Sequence, residues 1–171
     1  MVYAADVHWT PEQLLAYLDE LEITTTTVSH PPVFTVEEAK RLRGPLETGH
    51  CKSLFLRNKK GAMWLVVLPE DQKIDLRRLA EILGAGRFGF ASPERLDTYL
   101  GVIPGAVTPF AVVNDPAGVV TVVLEKGLLD ADPLHFHPLD NSLTTAISPA
   151  DLLRFLDETG HPVTVLDSAD L

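Results

Sequence analysis

Apolar and polar positions along the chain follow two periods, one typical of helices and one typical of strands. Capping signals predict five helices, and two of them, after Thr10 and Asp75, also carry apolar residues at helical spacing. Their caps are Thr10, Thr35, Asp75, Ser92 and Ser148. The first helix carries a leucine stripe that ends at Leu21, and the second runs to about Arg43, where Gly44-Pro45 ends it. The leucine stripe indicates that the first helix packs on a core.

Runs of β-branched and apolar residues bounded by turn residues predict the strands. We expect strands at 23–29, 51–57, 62–68, 110–113, 119–125, 144–147 and 161–166. The second and third form a hairpin around Asn58-Lys59-Lys60-Gly61, whereas residues 132–143 are polar and predict irregular structure. Hairpins mixed with helices that do not alternate regularly with strands favour an α+β domain built on a mixed β-sheet flanked by helices.

One lysine interrupts an otherwise apolar strand. Lys52 shares a face of the predicted strand with Leu54 and Leu56, because side chains alternate along a strand. Two interpretations remain open. Lys52 extends to solvent from an edge strand, or it provides a fixed positive charge for a substrate phosphate, hydroxyl or developing oxyanion.

A second candidate is the loop Gly105-Ala106-Val107-Thr108-Pro109, which precedes a predicted strand. It is either an ordinary turn or a loop whose backbone N–H groups face a substrate carbonyl, since glycine permits close approach.

Histidine and cysteine give weaker signals. His135 and His137 share a face and could ligate zinc or copper, but a third ligand from Asp132, Asp140 or His30 lacks a recognisable spacing. We therefore favour a pocket-lining or water-positioning histidine and expect neither a metal nor a cofactor.

The single cysteine, Cys51, excludes an internal disulfide. As a nucleophile it would need a histidine partner, and His50 points to the other side of the strand.

Length and composition fit one domain spanning residues 1–171, with 46% hydrophobic content. No stretch approaches 18 consecutive apolar residues, and the N-terminal segment lacks the pattern of a secretory signal. We expect a cytoplasmic protein without a membrane partner.

The net charge of −10 argues against nucleic acid binding, but the charge is unevenly distributed. Residues 40–60 contain seven basic residues against Glu47 alone, and residues 132–171 contain seven acidic residues against Arg154 alone. The basic segment is either a solvated helix face or a surface for a phosphate backbone. The glycine-containing segment Gly84-Ala85-Gly86-Arg87 follows a helix instead of opening one, so it is not a phosphate-binding motif. Arg87 can still contact the phosphate backbone of a nucleic acid.

Four segments in register resemble one family. They are HPPVFTVEEA (30–39), CKSLFLR (51–57), PGAVTPFAVVND (104–115) and FHPLDNSLTTAIS (136–148). Over about residues 10–166 the chain resembles the YbaK/prolyl-tRNA synthetase-associated editing domains, in particular the free-standing PrdX, or ProXp-ala, type. The resemblance implies that family's fold, with a partly barrel-like sheet.

The resemblance also implies roles for individual residues. The family's essential lysine corresponds to Lys52, and its GxxxP loop corresponds to Gly105, Ala106, Val107, Thr108 and Pro109. The substrate pocket would include His137, Ser53, Phe34 and Asn141, and the tRNA-binding residues would be Lys40, Arg41, Arg43 and Arg87. Many relatives carry asparagine where this chain has Ser53, a shorter hydrogen-bonding side chain that bears on amino-acid preference.

The implied activity is trans-editing: hydrolysis of alanine mischarged on proline tRNA, without a cofactor. The implied partners are the aminoacylated acceptor end of tRNA and, in addition, prolyl-tRNA synthetase; DNA is not expected. Two alternatives stay open. The same site could remove cysteine or serine, or the protein could be a non-catalytic module that binds tRNA or a synthetase.

Overall fold

The structure, a computed structural model, describes residues 8–43 and 49–171, without the side chains of residues 42 and 43. The predicted end of the second helix at Gly44-Pro45 lies outside the described residues. The helices are α1 (Pro11–Glu20), α2 (Val36–Arg43), α3 (Leu76–Leu83), α4 (Pro93–Leu100) and α5 (Pro149–Glu158). The strands are β1 (Thr26–Ser29), β2 (Cys51–Asn58), β3 (Met63–Pro69), β4 (Phe88–Phe90), β5 (Val120–Glu125), β6 (Leu134–Phe136), β7 (Leu143–Ile147) and β8 (Thr164–Leu166).

The helix starts confirm the predicted caps. The Thr10 hydroxyl accepts the Gln13 N–H, and the Gln13 side chain accepts the Thr10 N–H in return. The side chains of Asp75, Ser92 and Ser148 each accept a backbone N–H from the first turn of their helix. These bonds satisfy donors that a helix start leaves unpaired, so the caps define where the helices begin.

The strands of the described ranges form two sheets. The larger is mixed, with the order β4-β2-β3-β5-β8, in which β2 pairs antiparallel and β5 lies parallel to both of its neighbours. The smaller is antiparallel, with the order β1-β7-β6. Mixed pairing flanked by helices confirms the α+β prediction.

The partly barrel-like sheet that the resemblance implies is present as two sheets that do not close into a barrel. Within the described residues, the backbone pairing between the two sheets is a single bridge between His50 and His135, at the start of β2. The His135 N–H donates to the Gly49 carbonyl at 3.0 Å. One bridge does not continue a hydrogen-bonded ladder, so the sheets remain separate.

Two predictions of secondary structure were wrong, and one strand was not predicted. Residues 109–114 form a 3₁₀ helix instead of a strand, with Pro109 at its start and the Thr108 hydroxyl accepting the Phe110 N–H. A short apolar run carries no periodicity that separates a buried helix from a strand. The polar segment 132–143 contains β6, and β4 was not predicted. Both are three-residue strands: β4 pairs with the end of β2, and β6 pairs with β7, the next strand along the chain.

Apolar residues cover both faces of the larger sheet. One face packs with α1, α4 and α5 in the larger core, and the other packs against α3. Phe110 connects the 3₁₀ helix to this larger core: its ring makes edge contacts with Phe136 of β6 and Phe155 of α5, at 5.9 and 5.5 Å between centroids. No helix in the described ranges is long and apolar enough to cross a bilayer.

Removing the Phe110 ring should destabilise the fold strongly, because the ring is fully buried and joins three elements. We expect Phe110→Ala to lower the free energy of unfolding by about 3–5 kcal/mol, measured by urea denaturation. Phe90→Ala is the control, because Phe90 is 61% exposed on the edge strand β4 and should change stability by less than about 0.5 kcal/mol. Equal effects of the two variants would contradict this packing role.

Candidate functional site

The site is a cavity of about 530 Å³ beside the smaller sheet. The sheet forms one wall through strand alternation, because residues at every second position face the same way. The wall consists of Thr26 and Val28 from β1, His30 directly after that strand, Thr144 and Ala146 from β7, and His135 from β6. Thr145, on the reverse face, is fully buried towards the core. The smaller sheet therefore has a core face and a cavity face.

The other walls come from three segments that are distant in sequence. They are the start of β2 (Cys51, Lys52 and Ser53), the turn with Pro104, Gly105 and Val107, and the segment Val33–Ala39 leading into α2. Lys52 and the Gly105 loop, singled out from the sequence, thus line the same cavity. Ser53, Phe34 and His137 line it too.

Lys52 does not extend into bulk water. Its ammonium group donates a hydrogen bond to the backbone carbonyl of Gln72, in the turn that follows β3. This contact fixes the long side chain while leaving the other two N–H bonds of the ammonium group for a ligand. The geometry therefore favours a positioned cation over a freely moving surface lysine.

Only part of the Gly105–Pro109 loop can present N–H groups to the cavity. Pro109 has no N–H, Ala106 donates its own to Ile103 at 2.9 Å, and Thr108 is fully buried. Gly105 and Val107 line the cavity, and their N–H groups have no acceptor within the described ranges. The geometry thus reduces the predicted five-residue loop to two candidate donors.

Gly105 is required by close packing. A Cβ at this position would lie 2.9 Å from Cδ1 of Phe34, 3.2 Å from Nδ2 of Asn141 and 3.4 Å from the Val33 carbonyl oxygen. Because the first two distances are too short for ordinary contacts, any larger residue would displace the Phe34 ring or the Asn141 amide.

Asn141 holds one wall of the site in place through hydrogen bonds. It is buried and does not line the cavity; its side-chain amide donates to the Val33 carbonyl at 2.8 Å, and its backbone carbonyl accepts the Val33 N–H at 3.2 Å. Ser142 donates both its N–H and its hydroxyl to Asp140, which holds the turn carrying Asn141 and lowers the pKa of the Asp140 carboxyl. Asn141 therefore positions the Val33–Phe34 segment.

His137 presents one nitrogen to the cavity. Its Nδ1 donates to the Leu143 carbonyl at 2.7 Å, and burial lowers the pKa of the imidazole despite the opposing effect of that bond. The ring is therefore neutral near pH 7, with Nε2 as an acceptor that has no partner among the described residues. Its neighbour His30, with ring centroids 6.0 Å apart, bonds to the Thr144 hydroxyl at 2.7 Å.

A second histidine pair lies where the two sheets meet. His50 stacks on His135, with ring centroids 4.3 Å apart and an interplanar angle of 10°. Gly49 permits this approach: its φ is +78°, and a Cβ there would collide with the Pro133 carbonyl oxygen. The predicted His135–His137 pair is thus divided, with each ring paired to a different histidine. No three His, Cys, Asp or Glu side chains gather as a metal-ligand set in residues 8–43 and 49–171.

Cys51 lines the cavity together with His50, but its environment opposes nucleophilic chemistry. Burial raises the pKa of the thiol to about 12, and the Sγ–H points to the Gly49 carbonyl at 3.4 Å. The thiol is therefore protonated at physiological pH and is a poor nucleophile.

The predicted tRNA-binding residues are placed on different parts of the surface. The ammonium group of Lys40 pairs with Asp71. Asp71 is in the turn after β3, next to Gln72, whose carbonyl accepts the hydrogen bond from Lys52. Arg41 is exposed on α2. The Arg43 side chain lies outside the described residues. Arg87 is exposed beside Arg77, away from the cavity.

Sequence reasoning missed the contribution of the first strand and β7 to the cavity. Thr26, Val28 and His30 alternate along the chain, which is a usable signal for a shared face. The pairing of Val28 with Thr144 across the sheet carries no comparable signal, because the two residues are far apart in sequence.

The protonation of His137 can be tested by NMR titration of its ring. Because burial disfavours the charged imidazole, we expect a midpoint below the ordinary value of 6.5. The unfolded chain would bind this proton at higher pH than the folded chain, so His137 should make the fold less stable as the pH falls below about 6.5. A titration midpoint at or above 6.5 would contradict the buried environment of the ring. The His137→Asn variant identifies which NMR resonance belongs to His137, because that resonance is lost.

The sequence and structure were compared with known proteins. Residues 30–155 match the model of the family described as aminoacyl-tRNA editing domain. The chain is 39% identical over 157 residues to the prolyl-tRNA editing protein ProX of Acetoanaerobium sticklandii, covering 91% of this chain and 96% of that protein. It is 40% identical over 157 residues to prolyl-tRNA synthetase associated domain-containing protein 1 of Danio rerio, covering 91% and 85%.

Another relative is the multifunctional Ser/Thr-tRNA deacylase ProXp-y of Escherichia coli strain K12, 30% identical over 134 residues, covering 77% of this chain and 74% of that protein. Among solved structures, a crystal structure of a protein proposed as a trans-editing enzyme for prolyl-tRNA synthetase shares the fold, with a TM-score of 0.68 and 23% identity over 97% of this chain and 98% of that chain. From the family match and these identities, the chain belongs to the family of aminoacyl-tRNA editing domains.

Proposed function

We propose that residues 1–171 form one editing domain that hydrolyses the ester between alanine and the terminal adenosine of proline tRNA. The observation that carries this proposal is the shared cavity: the Lys52 side chain and the Gly105 and Val107 backbones line it together. A relative at 39% identity is named a prolyl-tRNA editing protein, which supports the substrate class. Such an enzyme acts in the cytoplasm, where tRNA is charged.

In this proposal the chemistry depends on electrostatics and positioning. Water attacks the ester carbonyl carbon, and the N–H groups of Gly105 and Val107 donate to the oxyanion of the tetrahedral intermediate. The C–O bond to the ribose then breaks, the ribose oxygen takes the proton that the attacking water gives up, and alanine leaves with its free carboxyl group. Lys52 anchors the terminal nucleotide or stabilises the developing negative charge through its remaining N–H bonds.

His137 has a role that matches its protonation state. A neutral ring whose Nδ1 is committed to the Leu143 carbonyl offers Nε2 as a hydrogen-bond acceptor. In the cavity this nitrogen positions the attacking water. The Cys51 thiol takes no part, because burial raises its pKa to about 12.

Selection of alanine over proline follows from pocket size. A synthetase site built for proline excludes the smaller alanine poorly, because a missing methylene changes binding by only about 1–3 kcal/mol. In this proposal the part of the cavity that receives the amino acid is too small for proline, so alanine is removed and the correct product is left intact. Serine is a competing substrate, since a 30% identical relative is named a Ser/Thr-tRNA deacylase and Ser53 lines this cavity.

Deacylation of a panel of tRNAs charged with Ala, Ser, Thr, Cys and Pro tests the activity and its preference. We expect the Ala ester on proline tRNA to be hydrolysed fastest and the Pro ester to survive. Lys52→Ala should reduce kcat by at least about 100-fold, because the positioned charge is removed. Hydrolysis of none of the esters would leave the non-catalytic tRNA- or synthetase-binding module.

Lys59→Ala is the matched control, since it removes the same charge from an exposed turn of the β2–β3 hairpin. It should retain wild-type rates. Urea denaturation of Lys52→Ala separates a catalytic defect from unfolding, and full activity in a folded Lys52→Ala variant would overturn the role of this lysine.

The basic face of α2 is proposed to contact the tRNA backbone, with the synthetase as a further partner. Replacing Lys40, Arg41 and Arg43 by alanine should weaken tRNA binding and reduce the slope of log K against log salt concentration by about 1 for each phosphate that the variant no longer neutralises. Filter binding at several salt concentrations measures this. The pair Lys59→Ala and Lys60→Ala, from the same basic segment, should leave the slope unchanged. An unaltered slope in the α2 variant would show that the tRNA backbone contacts a surface other than α2. The same assay with Arg87→Ala tests whether Arg87 contacts the tRNA.

A further inference from the structure

Phe34 is exposed where an aromatic ring is normally buried. Of the seven phenylalanines, Phe34 and Phe90 are 63% and 61% exposed, and the other five are buried. Phe90 is on the edge strand of the larger sheet, away from any cavity wall described above. Phe34 lines the cavity of about 530 Å³, so its exposed ring faces space that a ligand can enter.

The backbone that carries the ring is fixed by hydrogen bonds in spite of the exposure of the ring. Val33, the residue before it, exchanges two hydrogen bonds with Asn141, and the Phe34 N–H donates to the Glu38 carboxylate at 2.9 Å. Its Cδ1 lies against Gly105, where an added Cβ would be 2.9 Å away. A ring fixed on its backbone side and open on the other loses little entropy when a ligand packs on it.

The cavity is larger than an alanyl group requires. Its volume falls in the range of sites that hold drug-sized ligands, which include nucleosides. Val28, which is 55% exposed, adds a second apolar surface to the same cavity. The cavity therefore contains apolar area that neither the ester nor the alanyl methyl accounts for.

We propose that Phe34 is the stacking platform for the adenine base of the terminal adenosine, a binding subsite adjacent to the Gly105 donors. This inference rests on the proposed function, which places the ester carbonyl at Gly105. The adenine is one ribose ring away from that ester, and the Phe34 ring is in direct contact range of Gly105. Every nucleobase has an aromatic face, and stacking on an aromatic side chain is a common means of binding an unpaired base.

The experiment compares two ligands that differ only in the base. AMP and ribose 5-phosphate share the sugar and the phosphate, so the ratio of their Kd values isolates the contribution of adenine. We expect the wild type to bind AMP roughly 10- to 100-fold more tightly than ribose 5-phosphate, measured by NMR titration. Phe34→Ala should bring AMP to the level of ribose 5-phosphate, and Phe34→Trp should keep the preference.

Phe90→Ala is the matched control, since it removes an equally exposed ring and should leave both Kd values unchanged. The inference is overturned if Phe34→Ala retains the AMP preference, or if the wild type shows none. In the deacylation assay, Phe34→Ala should raise KM for Ala-tRNA much more than it lowers kcat. Because ligand binding is measured without turnover, a wild type that prefers AMP but hydrolyses no ester would refute the proposed function and leave the base platform standing.

Discussion

The hydrogen bonds between Asn141 and Val33 are the interaction on which the site depends. The side-chain amide and the backbone carbonyl of Asn141, in the turn before β7, both pair with the backbone of the segment that leads into α2. Two bonds from one buried residue make a rigid connection, because leaving a buried polar group unpaired would cost about 1–3 kcal/mol. They bring Val33 and Phe34 against Gly105, which can accept them only because it has no side chain.

The second constraint is the division between the two sheets. The smaller sheet uses one face for the core and leaves the other to form a cavity wall. Among the residues that the structure describes, its one bridge to the larger sheet, between His50 and His135, stops the ladder and leaves a space beside β2. Lys52 and Ser53 face that space because they are at the end of β2 where the second sheet does not continue the pairing.

The turn after β3 connects the cavity to the basic surface. Asp71 pairs with Lys40 of α2, and the adjacent Gln72 carbonyl accepts the Lys52 ammonium group. Two lysines from distant segments are thus held by neighbouring residues of one turn. Of the pair, Lys40 is exposed at the surface and Lys52 lines the cavity, so the same turn supports both the proposed tRNA-binding face and the proposed reaction centre.

Local sequence determined the helices and the candidate residues: capping bonds, helical leucine spacing and a lysine in an apolar strand all act within a few residues. It also indicated Lys52 and the Gly105 loop as candidate site residues. Tertiary structure alone decided that these two line one cavity, that Gly105 and Val107 keep available N–H groups, and that His135 and His137 have different partners. These outcomes depend on contacts between residues far apart in the chain, which local periodicity does not encode.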